Sequence, residues 1–145
     1  MKNITYKMVQ LSTPAELHAE CVEWLSQLNF NDDEQRFLNE LIRNYTVPLI
    51  ANEAYAAAVK LVSELGAEEN ELKRLAQRVN THMNNIEALL GTEKDQREEE
   101  GYRETHYYLK LDMHRYTIKY RKTKTELFDR IKKVIRNKKR NTRLS

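Results

Sequence analysis

Residues 102–136 read YRETHYYLKLDMHRYTIKYRKTKTELFDRIKKVIR. Leu109, Met113, Tyr116, Tyr120, Leu127, Ile131 and Val134 recur there at helical spacing, with charged residues between them. That pattern is one apolar stripe on an amphipathic helix. Leu111, Ile118, Phe128 and Ile135 widen the stripe, which suits a helix that touches more than one neighbour or a second subunit. No proline or glycine interrupts the stretch, so it is read as one helix over 102–136.

Working towards the N-terminus, Thr92 to Glu104 holds mixed charges, Gly101 and no apolar residue before Tyr102, and is expected to be an exposed connection. A second stripe, Leu72, Leu75, Ala76, Val79, Met83, Ile86 and Leu90, predicts a helix over 68–90 between Gly66 and Gly91, glycine being the residue that most readily ends a helix. Ile50, Ala54, Ala57, Ala58, Leu61 and Leu65 predict a helix over 48–65, begun at the break Tyr45-Thr46-Val47-Pro48. The first long helix is expected over 13–45. Thr13-Pro14-Ala15-Glu16 is a capping-box start with proline in the first turn. Leu17, Cys21, Trp24, Leu25 and Leu28 give it an apolar face that resumes at Phe37, Leu38, Leu41, Ile42 and Tyr45. Asn29 to Asp33 between them are weak helix formers without a breaker, so the helix is read as continuous.

These segments specify an all-α fold: an antiparallel up-down four-helix bundle with long first and last helices. Residues 1–12 are an N-terminal arm, 13–136 a single bundle domain and 137–145 a basic tail. The length of 145 residues, with 40% hydrophobic and 32% charged residues, suits one core with solvated helix exteriors. Cys21 is the only cysteine, which excludes an intramolecular disulfide and a thiolate cluster. No signal-like stretch or run of 18 apolar residues is present, and a cytoplasmic location is expected.

The chemistry-bearing residues do not announce a site. Histidine metal sites in bundles use Glu and His three residues apart on one helix, and His18, His82, His106 and His114 all lack that neighbour. Ligands gathered from different helices stay open as a minor alternative. No glycine-flanked serine or phosphate loop occurs, and Cys21 beside Leu17 and Trp24 reads as a buried, inert thiol. Trp24 reads as core. Tyr102, Tyr107, Tyr108, Tyr116 and Tyr120 read as a rim to the core rather than a stacking platform. Charge is the clearest asymmetry: from Lys119 to Ser145, twelve Lys and Arg face only Glu126 and Asp129, in a chain of net charge +3. Lys132, Lys133, Arg136, Lys138, Lys139, Arg140 and Arg143 are the candidate contacts to anions or nucleic acid.

His18, Trp24-Leu25-Ser26-Gln27-Leu28-Asn29-Phe30, Glu34, Phe37 and Leu38 resemble the first helix of small uncharacterised bacterial helical-bundle proteins. The resemblance covers residues 17–42. It implies a four-helix fold and brings no activity and no catalytic residue.

Three functional readings follow. The first is a non-enzymatic structural or protein-interaction bundle, with no cofactor or small-molecule substrate. Its long helices are expected to meet a second copy or a protein partner, because overhanging turns would expose Phe37, Tyr45, Ile131 or Ile135. The second is a weak nucleic-acid or anionic-surface binder acting through the basic segment. The third, least favoured, is a metal-binding bundle.

Overall fold

The structure is a computed structural model that describes residues 4–51, 55–90 and 96–144, and side chains within 4–45, 56, 59–90 and 101–136. It is all-helical, with α1 Ile4–Leu11, α2 Pro14–Ala51, α3 Tyr55–Leu89 and α4 Gln96–Leu144. No strand occurs among the described residues. No described helix is long and apolar enough to cross a membrane.

Four helices are present among the described residues, but they are cut differently from the expectation. The arm is helical: α1 buries Val9, and the Arg103 guanidinium donates to the Val9 and Ser12 carbonyls at 2.8 and 2.6 Å. α2 begins as expected. The Thr13 amide donates to Glu16 Oε1 at 3.0 Å and the Glu16 amide to Thr13 Oγ1 at 3.1 Å, closing the capping box. It then runs unbroken through Asn29 to Asp33 and through Pro48 to Ala51. Proline removes one backbone donor from a helix already near its end, so Pro48 is tolerated three residues before the last residue of α2, Ala51. Residues 52–54, and the inner positions expected at Ile50, Ala54, Ala57 and Ala58, lie outside the described backbone or side chains.

Of the separate helices expected at 48–65 and 68–90, the first loses 48–51 to α2, and from Tyr55 to Leu89 the two are one helix, α3. Gly66 has no positive φ and sits inside it. Its cost to a helix is only about 1 kcal/mol, and the buried side chains on either side, Leu61, Leu65, Glu68, Leu72 and Leu75, outweigh it. A Cβ built on Gly66 meets nothing within 4 Å. Gly66→Ala is therefore expected to raise stability by about 0.5–1 kcal/mol, read as a higher urea midpoint at unchanged slope. At the other end, α4 starts at Gln96, so 96–104 is helix rather than connection, and 91–95 lie outside the described residues. α4 also carries helix through the expected tail to Leu144.

The chain divides into two compact units, residues 1–31 with 71–116 and residues 32–70 with 117–145. In the first, α2 meets α3 at His18–Glu87, and α3 meets α4 at Arg78–Asp112 and His82–His106. α2 meets α4 at Glu20–His106 and Asn31–Tyr116. Leu17, Leu28, Leu72, Leu75, Val79, Ile86, Leu109 and Met113 fill its core. In the second unit, Gln35 Nε2 donates to the Leu65 carbonyl, and Tyr120 and Lys124 both donate to Glu34. Leu38, Leu61, Leu65, Leu127, Ile131 and Val134 are buried there. Tyr45 packs against Val134 and Ile131 is 4% exposed, so both are covered within the chain. Phe37, at 54%, is exposed as expected.

The buried positions follow a strict alternation of four and three: 17, 21, 24, 28, 31, 35, 38 on α2 and 61, 65, 68, 72, 75, 79, 82, 86 on α3. On α4 the run is 102, 106, 109, 113, 116, 120, 123, 127, with Tyr107 buried beside it and a second step of four leading to Ile131 and then Val134. This heptad spacing differs from the sequence reading at particular points. Phe37 yields its place to Gln35 and Leu38, and Met83 yields to His82.

Candidate metal centre

Three of those heptad positions, one on each long helix, meet in the core of the first unit. Cys21 on α2 is 0% exposed, His82 on α3 2% and His106 on α4 0%. Each lands inside because its helix turns an otherwise apolar seam inward: Leu17 and Leu28 flank Cys21, Val79 and Ile86 flank His82, and Tyr102 and Leu109 flank His106.

The polar atoms converge. His82 Nε2 lies 3.0 Å from His106 Nδ1, and Cys21 Sγ lies 4.0 Å from the same nitrogen. One donor atom from each residue falls within 4.8 Å of the other two. On its far side, His106 Nε2 is 2.7 Å from Glu20 Oε1, and Lys110 Nζ donates to Glu20 Oε2 at 3.1 Å. The Trp24 ring stacks on the His106 imidazole at a centroid distance of 4.7 Å and 25° between planes.

The Glu20 contact fixes which His106 nitrogen bears the proton when the ring is neutral. A carboxylate only accepts, so His106 carries its proton on Nε2, donates it to Glu20, and leaves the Nδ1 lone pair facing His82 and Cys21. The Glu20 carboxyl is held below its ordinary range, first by the His106 hydrogen bond and then by Lys110, with burial acting against them. Burial, followed by the nearby His106, brings His82 down to about 4, so it is a neutral imidazole. Burial and then the Glu20 charge push the Cys21 thiol up to about 12, so without a cation beside it the sulfur keeps its proton.

The donor set is chemically coherent for a metal ion. Two imidazoles and one sulfur suit zinc and its cobalt and copper neighbours. Tetrahedral bonds near 2.0–2.3 Å place donors roughly 3.5 Å apart, and the distances of 3.0 and 4.0 Å bracket that value. A carboxylate on the outer nitrogen of a ligating histidine is the usual support for such a site, and Glu20 stands there. Without an ion, His82 Nε2 and His106 Nδ1 share one hydrogen bond, donated by His82 when His106 is neutral, and the chain of contacts ends at Glu20. His82 also lines two open clefts between α3 and α4, of about 550 and 390 Å³, whose shared walls include Asn85 and Thr105.

The remaining sequence candidates fall elsewhere. His18 is partly exposed and pairs with Glu87 at 2.8 Å, and His114 is exposed. Trp24, 9% exposed, is core as expected. Tyr102, Tyr107, Tyr116 and Tyr120 are buried rather than rim residues, while Tyr108 is 50% exposed. Lys132, Lys133 and Arg136 are exposed on α4 in the second unit. Lys138, Lys139, Arg140 and Arg143 occupy helical positions, with side chains outside the described ones.

A search for Glu-x-x-His pairs misses the cluster because it tests one helix at a time. The signal that finds it is the heptad: read at alternating steps of four and three, the seams place Cys21, His82 and His106 at inward positions where leucine is the default. Comparisons with protein families, with characterised proteins and with solved structures return no match.

Proposed function

We propose that this chain is a non-enzymatic structural bundle, with α2, α3 and α4 in an up-down-up arrangement, stapled by one zinc-class ion held by Cys21, His82 and His106. The observation that carries this reading is the convergence of three soft and borderline donors from three helices, with Glu20 hydrogen-bonded to the outer nitrogen of His106. A structural core without a ligand gains little from such a group, since apolar side chains of similar volume pack there at no desolvation cost. An ion changes the balance. It replaces the thiol proton, takes the His106 Nδ1 and His82 Nε2 lone pairs, and ties three helices at one point.

The test is a titration of metal-free protein with Co²⁺ and Zn²⁺. One ion per chain is expected, and the cobalt form should show the sulfur-to-metal charge-transfer band of a thiolate ligand. Cys21→Ser should lose that band, and ¹⁵N spectra should show the His82 proton moving from Nε2 to Nδ1 as zinc is added. Saturating cobalt without a thiolate band, or a stoichiometry unchanged in both Cys21→Ser and His82→Gln, would overturn the assignment.

A further inference from the structure

A different part of the chain carries a second binding surface, independent of the metal centre. α4 remains helical to Leu144. At about 100° per residue, positions 132, 136, 139 and 143 fall within a sector of roughly 60°. All four are cationic: Lys132, Arg136, Lys139 and Arg143. The buried residues Leu127, Ile131 and Val134 lie roughly 140° away from these four positions around the same helix. Lys132 and Arg136 are exposed, and among the described residues neither makes an ion pair. Asp129 is the one acidic residue at the head of the row.

Among the described residues, the helix bounds of α2 and α3 stop short of its far end. Thr123 on α4 bonds to Glu68 on α3, and α3 begins thirteen residues before Glu68, at Tyr55, so α4 positions beyond 136 have no α3 residue opposite. Lys124 pairs with Glu34 on α2, which ends at Ala51, so the last turn of α4 outruns that helix as well.

We infer that this row binds the phosphate backbone of a nucleic acid, with little regard to sequence. Cations at steps of four and three along a rigid helix form a line of point charges that neutralises successive phosphates and releases their counterions. A lipid surface fits less well. An interfacial helix needs an apolar face to bury, and beyond Ile135 the segment offers only Leu144. Four phosphate contacts predict an affinity that falls by roughly 150-fold between 50 and 200 mM salt.

The experiment measures fluorescence anisotropy of the full chain with a labelled mixed-sequence DNA duplex, a single-stranded RNA of equal length, and phosphatidylserine vesicles, at both salt concentrations. The expected result is salt-sensitive binding of duplex or RNA, with a slope of log K against log salt that drops by about 2 in Lys132→Gln/Arg136→Gln and by about 4 when Lys139→Gln and Arg143→Gln are added. Lys60→Gln/Arg74→Gln, exposed cations on α3, should leave the slope unchanged. Circular dichroism confirms that each variant keeps its helix. No nucleic-acid binding at low salt, a slope that the four-residue variant leaves intact, or tighter binding to vesicles than to nucleic acid would each overturn the inference.

Discussion

Zinc in thousandfold excess over its dissociation constant is expected to raise the unfolding free energy of the unit formed by residues 1–31 and 71–116 by about 4 kcal/mol. The increment follows from linkage: the ion binds a site that exists only when α2, α3 and α4 are packed, so its binding energy becomes folding energy. Cys21→Ser is the informative variant. The sulfur is a weak partner at 4.0 Å from His106, so a hydroxyl there should cost the metal-free protein little while removing the zinc increment. His106→Ala is a poorer probe, since it also strips Glu20 of a hydrogen bond and Trp24 of its stacking partner. Glu20→Gln should weaken zinc 10- to 100-fold without changing the stoichiometry, because it removes the charge that makes His106 a stronger ligand and leaves the three ligands in place. Chemical denaturation with and without zinc reads all three. An equal zinc increment in wild type and Cys21→Ser would put the ion elsewhere.

The cluster also shows what a single sequence makes legible. The all-helical character, the capping box at Thr13 and Glu16, and the burial of Cys21 and Trp24 each depend on residues within a turn or two of one another, and they can be read directly. The helix cuts at Pro48 and Gly66 were misread because local punctuation carries only about 1–3 kcal/mol, which packing along a long seam exceeds. His82 and His106 are 24 residues apart in the chain, and Cys21 and His106 are 85 apart. No spacing rule links them until it is known that the chain is one helix from Tyr55 to Leu89, through Gly66, and that its seam passes through His82 rather than Met83. The basic row needed the opposite correction: its charge was plain in the sequence, but its alignment on one face depends on helix continuing past Arg136.

Glu68→Gln is expected to stabilise the unit of residues 32–70 and 117–145 at neutral pH by about 1–3 kcal/mol, the cost of a buried polar group left without a partner. Glu68 is 2% exposed. Its Oε1 accepts from Thr123 Oγ1 at 2.6 Å, while Oε2 is buried with no hydrogen-bond partner. Gln35 bonds to the carbonyl of Leu65, three residues before Glu68 on α3, and its Oε1 is likewise buried without a donor among the described residues. Burial raises the Glu68 pKa above 4.5, and Glu64 adds to it, against the Thr123 hydrogen bond and the Lys119 charge. The sign follows from proton counting. Between 4.5 and the raised folded value the folded chain binds more protons than the unfolded chain, so stability falls as pH rises through that window and stays low above it. Glutamine keeps an oxygen for Thr123 and puts a neutral amide where the orphaned carboxylate oxygen stood. The gain should therefore be present near pH 7 and absent near about pH 4, below the unfolded-state value, where Glu68 itself carries the proton. Urea unfolding of both proteins at the two pH values decides it. Equal stabilisation at both would trace the effect to packing or helix propensity, and no stabilisation at neutral pH would mean that the Glu68 carboxylate is already fully compensated in the folded chain.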